Sequence, residues 1–583
     1  MRSLRAIPLL LFLAAFQLPF PARLPAAQEN EIEFSVDVKS PTVSLPKVFR
    51  PDIDLSGRGL HRSAAWPQSM AAPEVLDSWQ KDIGFAGAYR LQYNLWEINA
   101  SAKDKAQQES LLAGYESVIK KVSDAGSVVI LDLFGTPAGL GKALDKKSPP
   151  LDLRAFKELV KGYIRELSCN KKYNIWYEVW TAPDLDDFFL GRKQEYLAIY
   201  RAVAESILEL EAETKINIPV GGPGVSWWFQ NCDANSILTP EKSLIYDLIK
   251  HCYKYHLPLD FISWHAYSTD PKVEFETTRY NKTSVALVRD WLGYFNFQKD
   301  IPLVIDEWNY DSGANILPAR AESANVSASF IPARLKNMHE AGLDLQLFFS
   351  LEDFQNNKEN VVRNTGVFWF DPEASEYKGS PKSTYNVFKM LASLGKDMFV
   401  QPKTSDDFCG MIATKQDDET VLLLYNYIDP YFARNYISRN IASLNDAERK
   451  ALLGLIKTEK IEKIISRETE ISSLRVAGAR LKAMLKKAQE LNDKAKAAKS
   501  SGRAIKLTVK NLKEDYTYQR FVVDSDCSLN CKFAPLEEKE IKGAEPYQEV
   551  LTLPAYSVQM IILKKKPAEE PPSEKQVADD KRE

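Results

Sequence analysis

The sequence predicts an α/β fold: a (β/α)8 TIM barrel followed by a β-sandwich accessory domain that carries a helical insertion. Three observations predict it. From about Asp52 to Gly395, short apolar runs alternate with amphipathic helical stretches, the pattern of repeated βα units and a parallel sheet. After Gly395 the chain turns to short alternating segments, which read as antiparallel strands. Between those strands, Tyr431 to about Ser500 is rich in Ala, Leu, Lys and Glu and repeats its apolar residues at helical spacing.

Eight barrel strands are expected, near Ser56–His61, Ala86–Gln92, Ser127–Phe134, Ile175–Trp180, Ile218–Gly222, Phe261–Ala266, Leu303–Glu307 and Leu345–Phe349. Helical patterns separate them, for example Ala106–Ala125, Leu153–Leu167, Gln194–Glu213 and Ala324–Ala341. An open doubly wound sheet is the alternative, but no G-x-G-x-x-G or P-loop supports it. Sandwich strands are expected at Gly410–Thr414, Val421–Tyr427, Lys506–Val509, Tyr516–Val523 and Val558–Leu563. In the insertion, Leu452, Leu453, Ile456, Ile461, Ile464, Ile465, Leu474, Leu481 and Leu485 form an apolar stripe, read as a helical hairpin or long helix that does not build the site. The expected units are residues 1–27 as signal peptide, 28–395 as barrel, 396–430 with 501–565 as sandwich, 431–500 as helical insertion and 566–583 as disordered tail.

Composition narrows the function classes. At 583 residues the chain exceeds one compact domain. A net charge of −3 leaves no basic footprint for nucleic acid. Arg2 and Arg5 precede an apolar run from Ile7 to Phe16, and Ala26-Ala27 offer small residues for cleavage. A bilayer takes ~20 apolar residues, so this run is a secretory signal rather than a span. The mature chain is expected to be exported, periplasmic or extracellular, with no membrane span. Its six cysteines allow about fifteen full pairings, among which the sequence does not choose. No metal-ligand spacing and no cofactor motif appears, so neither metal nor cofactor is expected.

Two segments carry the chemistry. One is Trp176-Tyr177-Glu178-Val179-Trp180-Thr181-Ala182-Pro183-Asp184 and the other Ile301-Pro302-Leu303-Val304-Ile305-Asp306-Glu307-Trp308-Asn309. Each reads as a buried strand ending in polar and aromatic residues. In a parallel barrel, ligand chemistry gathers at the C-terminal strand ends. Alternation places Leu303, Ile305 and Glu307 on one face, and Glu178, Trp180 and Ala182 on another. A carboxylate at a barrel mouth is costly without partners. The plain reading of Glu307 is a structural ion pair; the functional one is a reactive carboxylate.

Together the two segments resemble the catalytic strands of retaining glycosidases built on a (β/α)8 barrel, above all glycoside hydrolase family 39, the β-xylosidase and α-iduronidase family. The resemblance implies that Glu307 is the nucleophile. In that family the first segment ends Trp-Asn-Glu-Pro and its Glu is the acid/base. Here Thr181-Ala182 replaces Asn-Glu, so Ala182 is a degenerate acid/base position. Asp184 could swing in from the loop, or serve only as a loop residue. Ile218-Pro219-Val220-Gly221-Gly222-Pro223 resembles the family's fifth strand. Phe261-Ile262-Ser263-Trp264-His265-Ala266-Tyr267 resembles its sixth, with His265 and Tyr267 reaching substrate and nucleophile. Ala88-Tyr89-Arg90-Leu91-Gln92 resembles its second, where Arg90 would orient the nucleophile and Gln92 replaces a histidine. Glu178, Trp180, Thr181 and Trp308 complete the implied substrate site. Leu553-Pro554-Ala555-Tyr556-Ser557-Val558 resembles the closing strand of the family's sandwich. The resemblance implies a retaining hydrolase of O-glycosidic bonds, its partner an oligo- or polysaccharide or glycoside, and the N-terminal segment adds the expectation of export. A catalytically inactive carbohydrate-binding pseudoenzyme is the alternative.

Overall fold

In the computed structural model eight parallel strands close into a barrel: β1 (Ile53–Asp54), β2 (Ala88–Asn94), β3 (Val128–Phe134), β4 (Ile175–Val179), β5 (Val220–Val225), β6 (Phe261–Tyr267), β7 (Leu303–Asn309) and β8 (Leu345–Phe348), with β8 returning to β1. The structure describes residues 31–567 apart from 58–64, 101–103, 232–238, 277, 279, 281, 311–323, 357–360, 370–378, 401–405, 475–477 and 544–545. The expected signal peptide and residues 568–583 of the expected tail lie outside the described residues. The first strand falls earlier than expected, at Ile53–Asp54, and the end of the expected segment lies outside them.

The helices begin where a short polar side chain can cap them. Asp104, Asp152, Ser243 and Thr283 each accept a hydrogen bond from a first-turn backbone N–H, opening Lys105–Asp124, Leu153–Ile164, Leu244–Tyr255 and Ser284–Tyr294. The second of these passes into a π turn at Arg165–Asn170 rather than running on as regular helix. Inside the barrel, Ala88, Ile130, Phe261, Val304, Leu345 and Leu347 form an apolar floor. The polar site sits above it.

The domain boundary differs from the expected one. Ile32–Asp37 pairs in parallel with Arg503–Lys510, and Thr42–Ser44 pairs with Asp397–Phe399. Residues 32–44 therefore belong to the sandwich, whereas Val48 and Phe49, nearer β1, pack in the barrel core. Phe34 and Val36 enter the core that Leu507, Val509, Leu551 and Leu563 build. The sequence reading also missed the strands Glu537–Ile541, which has one apolar residue, and Tyr547–Leu553, whose exposed face is Gln548, Val550 and Thr552.

The insertion is neither one hairpin nor one helix. Phe432–Asn440, Asp446–Lys457 and Lys460–Ile465 pack against the long helix Ala479–Ser500 around Leu452, Ile464, Leu481 and Leu485. A capping box of Asn445 with Glu448 starts Asp446–Lys457, and Glu459 at φ 55° separates that helix from Lys460–Ile465. Cys527 and Cys531 form a disulfide; Cys169, Cys252 and Cys409 are free and buried. Among the described residues no helix is long and apolar enough to cross a membrane, and no group of side chains could hold a metal ion.

Candidate active site

Arg90 projects from β2 into the barrel and is 1 % exposed. Its Nε donates to Glu178 Oε2 at 2.7 Å, and its Nη1 to Asp54 Oδ2 at 2.9 Å and Glu307 Oε1 at 2.7 Å. Nη2 donates to Thr181 Oγ1 at 3.0 Å, with Asp132 Oδ2 at 3.4 Å, while Asp306 Oδ2 lies 3.6 Å from Nε. Among the described residues five carboxylates, from β1, β3, β4 and β7, thus face one guanidinium. Burial opposes the charge on Arg90, but Glu178, Glu307, Asp132 and Asp306 outweigh it and keep the group protonated well above its usual range.

Five close carboxylates cannot all ionise cheaply against one cation, so the site keeps protons. Burial, reinforced by the charge of Asp306, pushes Glu178 well above the usual carboxylate range. Burial raises Asp54 to about 6 and Asp132 to about 7 against the opposing pull of Arg90. Asp306 goes the other way. Burial alone would raise it, but His265 and Arg90 bring it down to about 2. The two neighbours are thus pushed in opposite directions, and Ser263 Oγ donates to Glu178 Oε1 at 2.5 Å. Burial would lower His265, yet the charges of Glu307 and Asp306 overcome it and raise its pKa.

Exposure separates these carboxylates. The side chains of Asp54, Asp132, Glu178 and Asp306 are 0 % exposed and that of Glu307 is 12 % exposed, so Glu307 is the one that a ligand can meet. The Tyr267 hydroxyl donates to Glu307 Oε2 at 2.8 Å, and His265 Nδ1 lies 3.4 Å from the same oxygen. Burial, with the charge of Glu307, pushes the Tyr267 phenol well above its usual range, so it stays a donor. Both oxygens of Glu307 are thereby oriented, one by Arg90 and one by Tyr267.

The strand ends reach this geometry by breaking alternation. Val304 belongs to the interior floor, whereas Leu303 and Ile305 pack into the larger core cluster. The β6–β7 register runs Trp264 to Ile305 and then His265 to Glu307, skipping Asp306. This bulge turns both Asp306 and Glu307 toward Arg90. The expected common face of Leu303, Ile305 and Glu307 is corrected accordingly. On β4, Trp180 at φ 70° and Ala182 at φ 40° break the pattern likewise, and it is Thr181 that reaches Arg90. Gly224, at φ +57°, lets β5 approach: a Cβ there would stand 3.2 Å from Trp180 O and 3.4 Å from Asp306 Oδ2.

Two expected substrate contacts are corrected as well. Trp180 is fully buried against Phe134 and Phe189, with Nε1 donating to Phe188 O. Trp308 is fully buried against Phe330 and Phe348, with Nε1 donating to Gln346 Oε1. Neither indole has surface on the cleft. Glu178 and Thr181 are buried beneath it and act on Arg90. Ala182 stands at the end of β4 with its N–H on Gly224 O at 2.7 Å. Asp184 does not swing in: Oδ1 accepts from Ser226 N at 2.9 Å and Oδ2 from Ser226 Oγ.

Sequence reasoning missed Asp54, Asp132 and Asp306, each within a predicted strand or beside one. An acidic residue inside an otherwise apolar barrel strand was the available signal. It also missed Phe349, just past β8, whose half-buried ring faces Tyr267 at 6.1 Å and stacks on Phe354 at 5.0 Å.

A β-xylosidase from Caldicellulosiruptor saccharolyticus is 24 % identical over 285 residues, 47 % of this chain and 52 % of the relative. The chain thus spans about half the length of the curated relatives it matches. A glucosidase structure from Croceicoccus marinus superposes with a TM-score of 0.60 at 16 % identity, covering 92 % of this chain and 100 % of that one. A monomeric β-xylosidase from Caulobacter crescentus CB15 gives 0.58 at 15 % identity, covering 92 % and 100 %. At such identities the structures establish a shared fold, barrel and β-rich second domain together. The family model for glycosyl hydrolases family 39 matches residues 146–441, just over half of the sequence and the part that holds β4 to β8 with Glu307, and the chain belongs to that family.

Proposed function

We propose that the chain is an exported, retaining glycoside hydrolase-like protein in which Glu307 attacks the anomeric carbon of a glycoside and no carboxylic acid stands at the family's acid/base position. The observation that carries the reading is Glu307, the exposed member of a buried carboxylate set, with Arg90 on one oxygen and Tyr267 on the other. The β-xylosidase relatives make xylosides the first substrates to try. Glu307 forms a glycosyl ester as the leaving oxygen departs, and water then cleaves that ester with net retention. Arg90 and Tyr267 hold the carboxylate in line, which spares the reorganisation cost of the attack.

Leaving-group departure is the weak step. Ala182 occupies the position of the Glu in Trp-Asn-Glu-Pro, and a methyl group gives no proton. Asp184 is engaged by Ser226. General acid catalysis is worth roughly 10²–10⁴-fold, so glycosides with poor leaving groups should turn over slowly. The test is a series of aryl and alkyl xylosides of graded leaving-group acidity. The reading expects a steep dependence of rate on leaving group; a flat one, with alkyl xylosides cleaved as fast as activated aryl ones, would refute it. The second reading, a carbohydrate-binding pseudoenzyme, is favoured by the same Ala182. Measurable sugar binding without covalent labelling by an activated 2-fluoro xyloside would select it.

A further inference from the structure

The segment after β6 is held by specific polar contacts, several of them from outside the barrel. Tyr267, the donor on Glu307, is its first neighbour. Ser268 N donates to Asn309 O at 3.2 Å, tying the segment to the end of β7. Thr269 is 5 % exposed and is bound three ways. Its Oγ1 donates to Asp429 Oδ1 at 3.0 Å, its carbonyl accepts from the Tyr427 hydroxyl at 2.6 Å, and Asn435 Nδ2 lies 3.3 Å from Oγ1. Asp270 is 2 % exposed, pairs with Arg439 Nη1, and gives its carbonyl to Arg334 Nη1 at 3.1 Å. Asn435 Nδ2 also donates to Asp429 Oδ2 at 2.8 Å, closing the network.

The origin of these partners matters. Tyr427 and Asp429 follow directly on the sandwich strand Glu419–Asn426, and Asn435 and Arg439 lie on Phe432–Asn440, the first helix of the insertion. A merely adhesive interface would be served by apolar contact. Here hydrogen bonds and a buried ion pair fix two consecutive residues immediately beyond Tyr267 and Ser268. Such directional contacts specify position more than they add stability.

We propose that the sandwich and the first insertion helix position the nucleophile: Arg439 and Asn435, with Tyr427 and Asp429, hold Thr269 and Asp270 and through them set Tyr267 on Glu307. Arg439 is a positioning residue that acts through Asp270. The proposal rests on Glu307 being the nucleophile, and deepens that reading by bringing the second domain into it.

The test uses the full chain and the rate at which an activated 2-fluoro xyloside labels Glu307, a step that needs no acid. Arg439→Met should slow labelling ~10-fold, and Arg439→Lys should recover part of the loss by restoring a cation for Asp270. In a Tyr267→Phe background, Arg439→Met should cost nothing further, because the group it positions is already gone. Equal losses in both backgrounds, or no loss in the wild-type background, would overturn the proposal. If Arg439→Met does not fold, as judged by its melting temperature, Asn435→Ala replaces it in the same cycle. A wild-type protein that is not labelled at all removes the nucleophile reading and this proposal with it, whereas labelling that is indifferent to Arg439 removes the proposal alone.

Discussion

At Arg90, one guanidinium draws carboxylates from four strands, and among them Glu307 is the one that reaches solvent. Replacing Glu307 with Gln keeps the side-chain shape but removes the nucleophile. Covalent labelling by a 2-fluoro xyloside should be lost; undiminished labelling would take Glu307 out of the role. Ala182→Glu tests the other face. It should raise turnover of alkyl xylosides by as much as ~10²-fold or more while leaving activated aryl substrates nearly unchanged, because only the former need a proton. Equal gains on both classes would show that position 182 is not the acid site. Asp52, just before β1, offers a pH test. Burial, opposed by Arg50 at 3.0 Å, raises its pKa to about 7. The unfolded chain releases that proton near 3.8, whereas the folded chain keeps it to about 7. Stability from this group is therefore complete below about 4 and is lost as pH climbs to about 7. Asp52→Asn should melt progressively higher relative to wild type between pH 5 and pH 8; a difference that does not change with pH would refute this.

Elements were legible to different degrees. Long amphipathic helices such as Lys105–Asp124 and Lys193–Thr214 begin and end within a residue or two of their predicted limits, because apolar period and capping residues act locally. Register was not legible. Whether Asp306 or Glu307 points inward depends on a bulge that the neighbouring strand imposes, and nothing inside Leu303–Asn309 encodes it. The insertion lies between these cases: its apolar stripe was plain, but its division into a four-helix unit follows from packing around Ala479–Ser500. Leu485 is fully buried in that unit's own core. Leu485→Ala should cost ~2–5 kcal/mol of the unit's local stability. Hydrogen exchange should then accelerate across 446–500 before it does in the barrel strands. Acceleration spread evenly over the whole chain would show that the insertion has no separate stability.

For the whole molecule, the chain closes on itself: Ile32–Asp37 and Thr42–Ser44 join a sandwich whose remaining strands lie beyond residue 395. Deleting residues 1–37 should lower the melting temperature and promote association, since it removes Phe34 and Val36 from a core and bares the edge of Arg503–Lys510. An unchanged melting temperature and scattering would refute that. The same closure explains what could be read in advance. Barrel, sandwich and insertion were legible because each announces itself by a local period, Glu307 because it closes an apolar strand, and Arg90, His265 and Tyr267 through the resemblance of their segments to family strands. The sequence by itself determined the element order, the alternation of strand and helix, and the residue types available at each strand mouth. Only the tertiary structure decided which of them meet. Asp54, Asp132 and Asp306 joined the site, and Trp180 and Trp308 left it. Side-chain direction at a strand end is set by contacts with neighbouring strands and loops, such as His265 beside Glu307 and Gln346 on Trp308, not by the strand's own period.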